Sequence, residues 1–446
     1  MAESLGTDLA GFELFNDVQA RFEPSAHPQA TEEDVDVIFT CLPRSRIFLR
    51  SNTDIGNGEG AASVQGRLGN LFGGGETLEG SATFGTRTRS AFDLRLSSPV
   101  LASPILNAML SATTTDRDAS SWSSLSERTR AIRAALQYTG GGGQGGGGAQ
   151  QREFAAEVSW RHLNRLTSDA SVSMRKLAAG SKGETIKACL SHTWARDTRD
   201  QPVLATRGSY FRTVQEVAGF GADAYHVKAS AQAQVGRLLK VFHGDTPKAT
   251  SLATQSVVPT PTLGGLWGAL SLHLGLLRTL DGLQAAYSDR FHLGGPTSVR
   301  MFRHSSLGPR DAHDALGGDA FWSAGASLIS SIPRRPTWPL KLHAWLNAGQ
   351  LCQLDQSKPL LGASESASTS RSQLHLAGVQ QHVRANESFL SSAARQLLQP
   401  SVSAGVGLLY TQGALRVELN AGVPLVARRS DGTRKGIQFG VGVEFL

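Results

Sequence analysis

The chain has 446 residues, of which 49 are glycine and 40% hydrophobic, and a formal charge of +7. That length holds two ordinary domains or one large barrel, and low bulk hydrophobicity with abundant glycine suits a transmembrane barrel, in which only every second residue faces lipid. The charge is mild, and no basic run with interleaved aromatics accompanies it, which argues against nucleic acid as a partner.

Residues 1–44 contain two strand-like runs, near Phe15–Phe22 and Val35–Cys41, separated by a proline-containing turn. The first residues, Met1-Ala-Glu-Ser-Leu-Gly-Thr-Asp8, lack the basic and apolar regions of a secretory signal, and they are acidic where a mitochondrial presequence is basic. From Arg46 a period-two alternation begins. It predicts strands at Arg46–Asn52, Ala61–Leu68, Thr77–Thr86, Ala91–Leu96 and Ile105–Thr113. Residues 114–127 are polar and predict a loop. Arg130–Tyr138 follows. Gly140 to Gly148, all glycine except Gln144, lacks the lysine of a phosphate loop and reads as a flexible linker. Glu153–Arg161, Ile186–Trp194, Tyr210–Ala218 and Tyr225–Val235 alternate again. Ala170–Leu177 is either its own strand or a hairpin extension.

Leu263–Leu280 has the length and apolarity of a membrane helix. Its pattern is different: Leu266, Gly268, Leu270, Leu272, Leu274 and Leu276 alternate with Trp267, Ala269, Ser271, His273 and Gly275. That predicts a strand with leucines to lipid. After residue 302 come Phe321–Ile329, Leu340–Ala348, Val402–Tyr410, Leu415–Leu425 and Ile437–Phe445, with a polar surface insertion over 355–398. Five strands follow the loop around residue 300 and eleven or twelve precede it. A single-chain barrel with both ends on one side needs an even number, which gives about sixteen. A soluble β-sandwich shows the same alternation, but not usually over about 400 residues in one domain. The expected fold is all-β: a transmembrane antiparallel β-barrel over 45–446.

Chemistry-bearing motifs are scarce. Cys41, Cys189 and Cys352 lack metal-ligand spacing, the histidines form no His-Glu-x-x-His, and there is no nucleophile elbow. No catalytic residue, metal or cofactor is expected. The most ordered stretch is Asp289-Arg-Phe-His-Leu-Gly-Gly-Pro-Thr-Ser-Val-Arg-Met-Phe302. Gly294, Gly295 and Pro296 fix a tight turn, and Arg300 follows between Val299 and Met301. Taken alone, this reads first as a hairpin loop with a solvated arginine, and second as a charge held for a particular contact.

The stretch Leu293, Gly294, Gly295, Pro296, Thr297, Ser298, Val299, Arg300, Met301, Phe302 resembles the signature loop of the outer-membrane β-barrel assembly superfamily, most closely its mitochondrial branch, the barrel subunit of the sorting and assembly machinery. The resemblance implies that the loop folds back into the barrel and that Arg300 contacts the inner wall. Glu418 and Glu444, inward by parity, are the expected counter-charges. Met301 stands where the family has glycine, and Asn347 lies near the position of an expected carboxylate. Residues 1–44 would be a truncated remnant of a soluble, POTRA-like domain. At the C-terminus Gln438, Gly440, Val443 and Phe445 match the β-signal pattern of mitochondrial barrel proteins; the same residues are also simply the closing strand. The resemblance implies insertion of β-barrel precursors into the mitochondrial outer membrane at a seam between the first and last strands. Porin-like precursors, other machinery subunits and membrane lipid would be the partners. The alternative is a degenerate or passive pore, or a translocation channel, of the same superfamily.

Overall fold

The computed structural model describes residues 2–12, 14–25, 31, 35–56, 59–140, 148–180, 183–201, 204–242, 264–332, 335, 338–356, 396–412 and 415–442. At the N-terminus, helix α1 (Ala2–Gly11) precedes an antiparallel hairpin of β1 (Phe15–Pro24) and β2 (Val35–Pro43). The two strands match the sequence expectation; the helix was not anticipated.

Beyond them the described residues form one antiparallel sheet of sixteen strands, with a small hairpin and short helices in its connections. Eleven precede the long loop: β3 (Ile47–Gly56), β4 (Glu59–Gly69), β5 (Thr77–Gly85), β6 (Thr88–Val100), β7 (Ser103–Asp118), β8 (Leu125–Gly140), β9 (Ala149–Leu166), β10 (Glu184–Asp197), β11 (Ser209–Ala218), β12 (His226–Phe242) and β13 (Gly264–Thr279). The loop carries a two-residue-per-strand hairpin, β14 (Arg310–Asp311) with β15 (Asp314–Ala315). Five strands follow: β16 (Ala320–Ser331), β17 (Leu340–Cys352), β18 (Ser401–Gln412), β19 (Leu415–Val426) and β20 (Gly436–Gly442). Each strand pairs with its neighbours in chain order, β13 pairing directly with β16. The last strand returns to within 8 Å of the first, yet β20 and β3 share no ladder among the described residues.

The alternation has the expected sense. Leu270, Leu272, Leu274 and Leu276 are exposed on the outer face, while Trp267 of the same strand is buried inside. On β17 Leu342 and Leu346 face out, and His343, Trp345 and Asn347 are buried. On β20 Ile437 and Phe439 face out and Gln438 in. This is an inside-out arrangement, which is stable only where lipid covers the outer face and the ladder satisfies every backbone polar group. No described helix is long and apolar enough to cross a membrane.

Two loop expectations are corrected. Residues 114–127 are mostly strand: β7 runs to Asp118, a single helical turn α2 (Ser120–Ser123) makes the connection, and β8 starts at Leu125. The polar residues there misled because a strand lining an aqueous lumen needs no apolar face beyond the bilayer. Ala170–Leu177 is neither strand nor hairpin extension but lies largely in helix α3 (Val172–Gly180). Met174 and Leu177, three apart, turn one face to a cluster with Trp122, Leu125 and Tyr287. The insertion expected over 355–398 falls mostly outside the described residues.

The interior is filled unevenly. No described side chain of β3–β6 is buried, whereas β16–β20 carry buried residues opposite the long loop. The up-and-down order puts α2, α3, residues 280–319 and residues 427–435 at one end of the barrel. The N-terminal segment lies at the other end, with Gly11 against Pro104.

Candidate functional site: an arginine-pinned loop inside the barrel

The loop between β13 and β16 is held inside the lumen. Gly294 and Gly295 turn the chain with φ of +110° and +123°, and a Cβ on Gly294 would lie 2.7 Å from the Arg303 carbonyl. Only glycine fits there. Leu293, Val299 and Phe302 then pack with Leu307 and Leu351 in a small apolar cluster. Val299 also closes on β17, where a Cβ on Gly349 would come within 2.7 Å of it. These apolar contacts set the direction of the residue between Val299 and Met301.

That residue, Arg300, is fully buried. Its Nε donates to Glu418 Oε2 at 3.1 Å and its Nη2 to Glu418 Oε1 at 3.2 Å. Nη1 donates to Asn347 Oδ1 at 2.9 Å. The guanidinium lies 5.5 Å from the Trp345 ring centroid, and the Arg300 carbonyl accepts from Ser403 Oγ at 2.6 Å. Glu418 is steadied by Asn420 Nδ2 at 2.7 Å. A buried cation needs both a counter-charge and saturated hydrogen bonds; this one has a bidentate carboxylate, an amide and an aromatic face. Of the two expected counter-charges, Glu418 takes the role. Glu444 lies outside the described residues, as do Val443 and Phe445. Where a carboxylate was expected near residue 347, the Asn347 amide oxygen accepts instead.

Met301 has φ of +63°, so the position does demand the left-handed region that glycine tolerates best. Its side chain is buried. Its N–H donates to Gln438 Oε1 at 3.0 Å, and its carbonyl accepts from Arg434 N at 2.9 Å. Phe302 forms an isolated bridge with Thr433. The loop is thereby joined to β17, β18, β19 and β20, four strands adjacent to the seam. Gly440 lies inward on β20, paired with Glu418.

A second cluster was missed. Asp289, at the loop's entry, is buried and receives Arg161 Nη1 and Nη2 at 2.7 and 2.8 Å and Lys187 Nζ at 3.2 Å. Lys187 also reaches Glu216 at 2.5 Å, and Glu216 meets His226 Nε2 at 2.9 Å. Burial alone would raise the Asp289 carboxyl, but the Arg161 guanidinium with Lys187 and His226 holds it well below the usual range. The signal was present in the parity of the strands: Arg161, Lys187, Glu216 and Lys228 are charged inward residues on four consecutive strands. Beyond this cluster, Trp122 Nε1 donates to the Tyr287 hydroxyl at 3.1 Å, which donates to Ser123 Oγ at 2.6 Å. Asp311 and Asp314 accept from the backbone N–H groups of Ser173 and Ser171 at the start of α3, where a helix end favours anions.

A sixteen-stranded barrel with a buried arginine loop defines a class, the outer-membrane barrels whose lumen is occupied by their own inward-folded loop. Residues 70–445 match the Omp85 superfamily domain, and the chain belongs to that superfamily. It is 30% identical over 443 residues to a SAM50-like protein of Schizosaccharomyces pombe, covering 98% of this chain and 80% of the relative. It is 27% identical over 440 residues to the human sorting and assembly machinery component 50 homolog, covering 97% of this chain and 80% of that one. Its fold is similar to BamA from Haemophilus ducreyi lacking POTRA domains 1–3, with a TM-score of 0.69 at 14% identity over 99% of this chain and 78% of that structure.

Proposed function

We propose that this chain inserts and assembles β-barrel precursors in the mitochondrial outer membrane. A precursor's signal strand pairs with the edge exposed between β3 and β20, a form of β-augmentation. The observation that carries this reading is the loop's attachment: Arg300 and Met301 bind side chains of β17, β19 and β20, so the loop supports the wall that ends at β20, which shares no ladder with β3 among the described residues. No described side chain of β3–β6 is fully buried, which gives the incoming chain a wetted approach beside that edge. Gln438 and Gly440, with Val443 and Phe445, serve as the chain's own β-signal, since this barrel must itself be inserted. Residues 1–44 act as a partial POTRA-like segment on the side from which substrates arrive. Porin-like precursors are the substrates, other subunits of the machinery are the partners, and no bond chemistry is involved.

The test is assembly of porin precursor in isolated mitochondria depleted of their own barrel subunit and supplied with this chain. Mature, protease-resistant porin is the expected result. Integration of the chain with porin precursor left unassembled would identify a passive or degenerate barrel instead.

A further inference from the structure

We propose that Asp289 is a second positioning residue of the luminal loop. It fixes the loop's neck to the wall formed by β9–β12, so that Arg300 meets the opposite wall, and precursor insertion depends on both attachments. The inference rests on the insertase reading above. The neck is held at the side chain and at the backbone: Arg161 and Lys187 bind the Asp289 carboxylate, and Lys228 Nζ donates to its carbonyl at 2.7 Å. Next to it Ser288 Oγ donates to Glu127 of β8. The loop is thus a strap tied to β8–β12 at residues 288–289 and to β17–β20 at residues 300–302. Neither knot touches β3–β6, the strands on the other side of the seam, in any of these contacts. A strap fixed at both ends holds two walls at a set distance and leaves the first strands free to part from the last.

The donor atoms of Glu216, His226 and Asp289 lie within 4.8 Å of one another, a spacing that would suit a cation. The cation is already supplied. Lys187 Nζ sits between the Glu216 and Asp289 carboxylates, and Arg161 takes both oxygens of Asp289. The cluster is a closed ion-pair network whose anion comes from the loop. Removing that anion leaves Arg161, Lys187 and Lys228 facing one another around Glu216, and the neck loses its reason to stay.

The experiment uses full-length chain in depleted mitochondria, comparing wild type, Asp289→Asn, Arg161→Gln, the double variant and Asp289→Glu. Integration is read by carbonate resistance. Loop placement is read by cross-linking a Ser298→Cys loop tip to a cysteine in the signal strand of the porin precursor. Both single variants should integrate as wild type does, with cross-linking and porin assembly reduced about tenfold. The double variant should be no worse than either single, because both remove one interaction. Asp289→Glu, which keeps the charge, should recover more than Asp289→Asn. Wild-type assembly and cross-linking in both singles would overturn the inference while leaving the insertase reading intact. So would additive losses in the double variant, or failure of both singles to integrate, which would make the cluster a folding element only. If the wild-type chain itself leaves porin unassembled, the insertase reading fails and this inference with it.

Discussion

The backbone N–H of Met301 donates to the side-chain oxygen of Gln438 at 3.0 Å, across 137 residues of sequence. One residue belongs to the luminal loop, the other to the last strand. Gln438 is therefore a buried acceptor for the loop as well as an inward residue of β20. Replacing it with leucine keeps the volume but orphans a buried N–H, which costs about 1–3 kcal/mol. The Gln438→Leu chain should melt at lower temperature in detergent and assemble porin more slowly.

Met301 itself sits in a backbone region that costs a residue with a side chain about 1–2 kcal/mol. Its buried side chain returns about 1.5–3 kcal/mol by leaving water. The two effects are of similar size. Met301→Gly should therefore fall between a gain of about 0.5 and a loss of about 2 kcal/mol, the span left by those two estimates, whereas Met301→Val, β-branched at positive φ, should be clearly worse. Thermal unfolding of the three chains in one detergent measures this. If the methionine is tolerated at this angle, a Gly variant should assemble porin at close to the wild-type rate; a clearly faster Gly variant would show that Met301 impairs the loop.

The Arg300–Glu418 pair makes the strongest demand. Removing one partner of a fully buried ion pair costs about 3–5 kcal/mol because the other charge stays behind. Glu418→Gln should destabilise the chain by that order, and Arg300→Ala likewise. Arg300→Lys keeps the charge but cannot make the forked contact to Glu418 while also reaching Asn347; it should fall between wild type and alanine in both melting temperature and porin assembly.

The barrel was legible because lipid imposes a rule on every second residue, and the leucines of β13 or the alternation of β19 obey it without help from neighbours. Loops obey no such rule. The helical turn at Trp122 and the helix at Met174 are held by contacts with Tyr287 and Ala315, more than a hundred residues away, and short segments take their form from such packing and not from propensity. The Arg300 motif was recognisable from its glycines, proline and flanking apolar residues. Its partner Glu418 was recoverable from inward parity on β19, but the choice between Glu418 and Glu444 needed the register that brings β17, β18 and β19 together. The Asp289 cluster escaped for a related reason: Arg161, Lys187, Glu216 and Lys228 lie on four strands and Asp289 in the loop, and only the register of those strands and the course of the loop bring them together.

His292 gives the loop a dependence on acidity. Its ring lies 4.7 Å from that of Tyr287, within the lumen and outside the strands. Burial, with the positive charges of Arg117, His304 and Arg290, pushes it down to about 4. An exposed histidine in the unfolded chain titrates near 6.5, so between those values the unfolded state binds the extra proton. Stability from the neutral ring is full above pH 6.5 or so and declines as pH falls toward 4, by at most about 3 kcal/mol. The melting temperature of the detergent-solubilised chain should fall between pH 7 and pH 4.5, and His292→Gln should lose part of that fall while differing least from wild type at the acid end. An equal pH slope in the variant would show that His292 carries none of it.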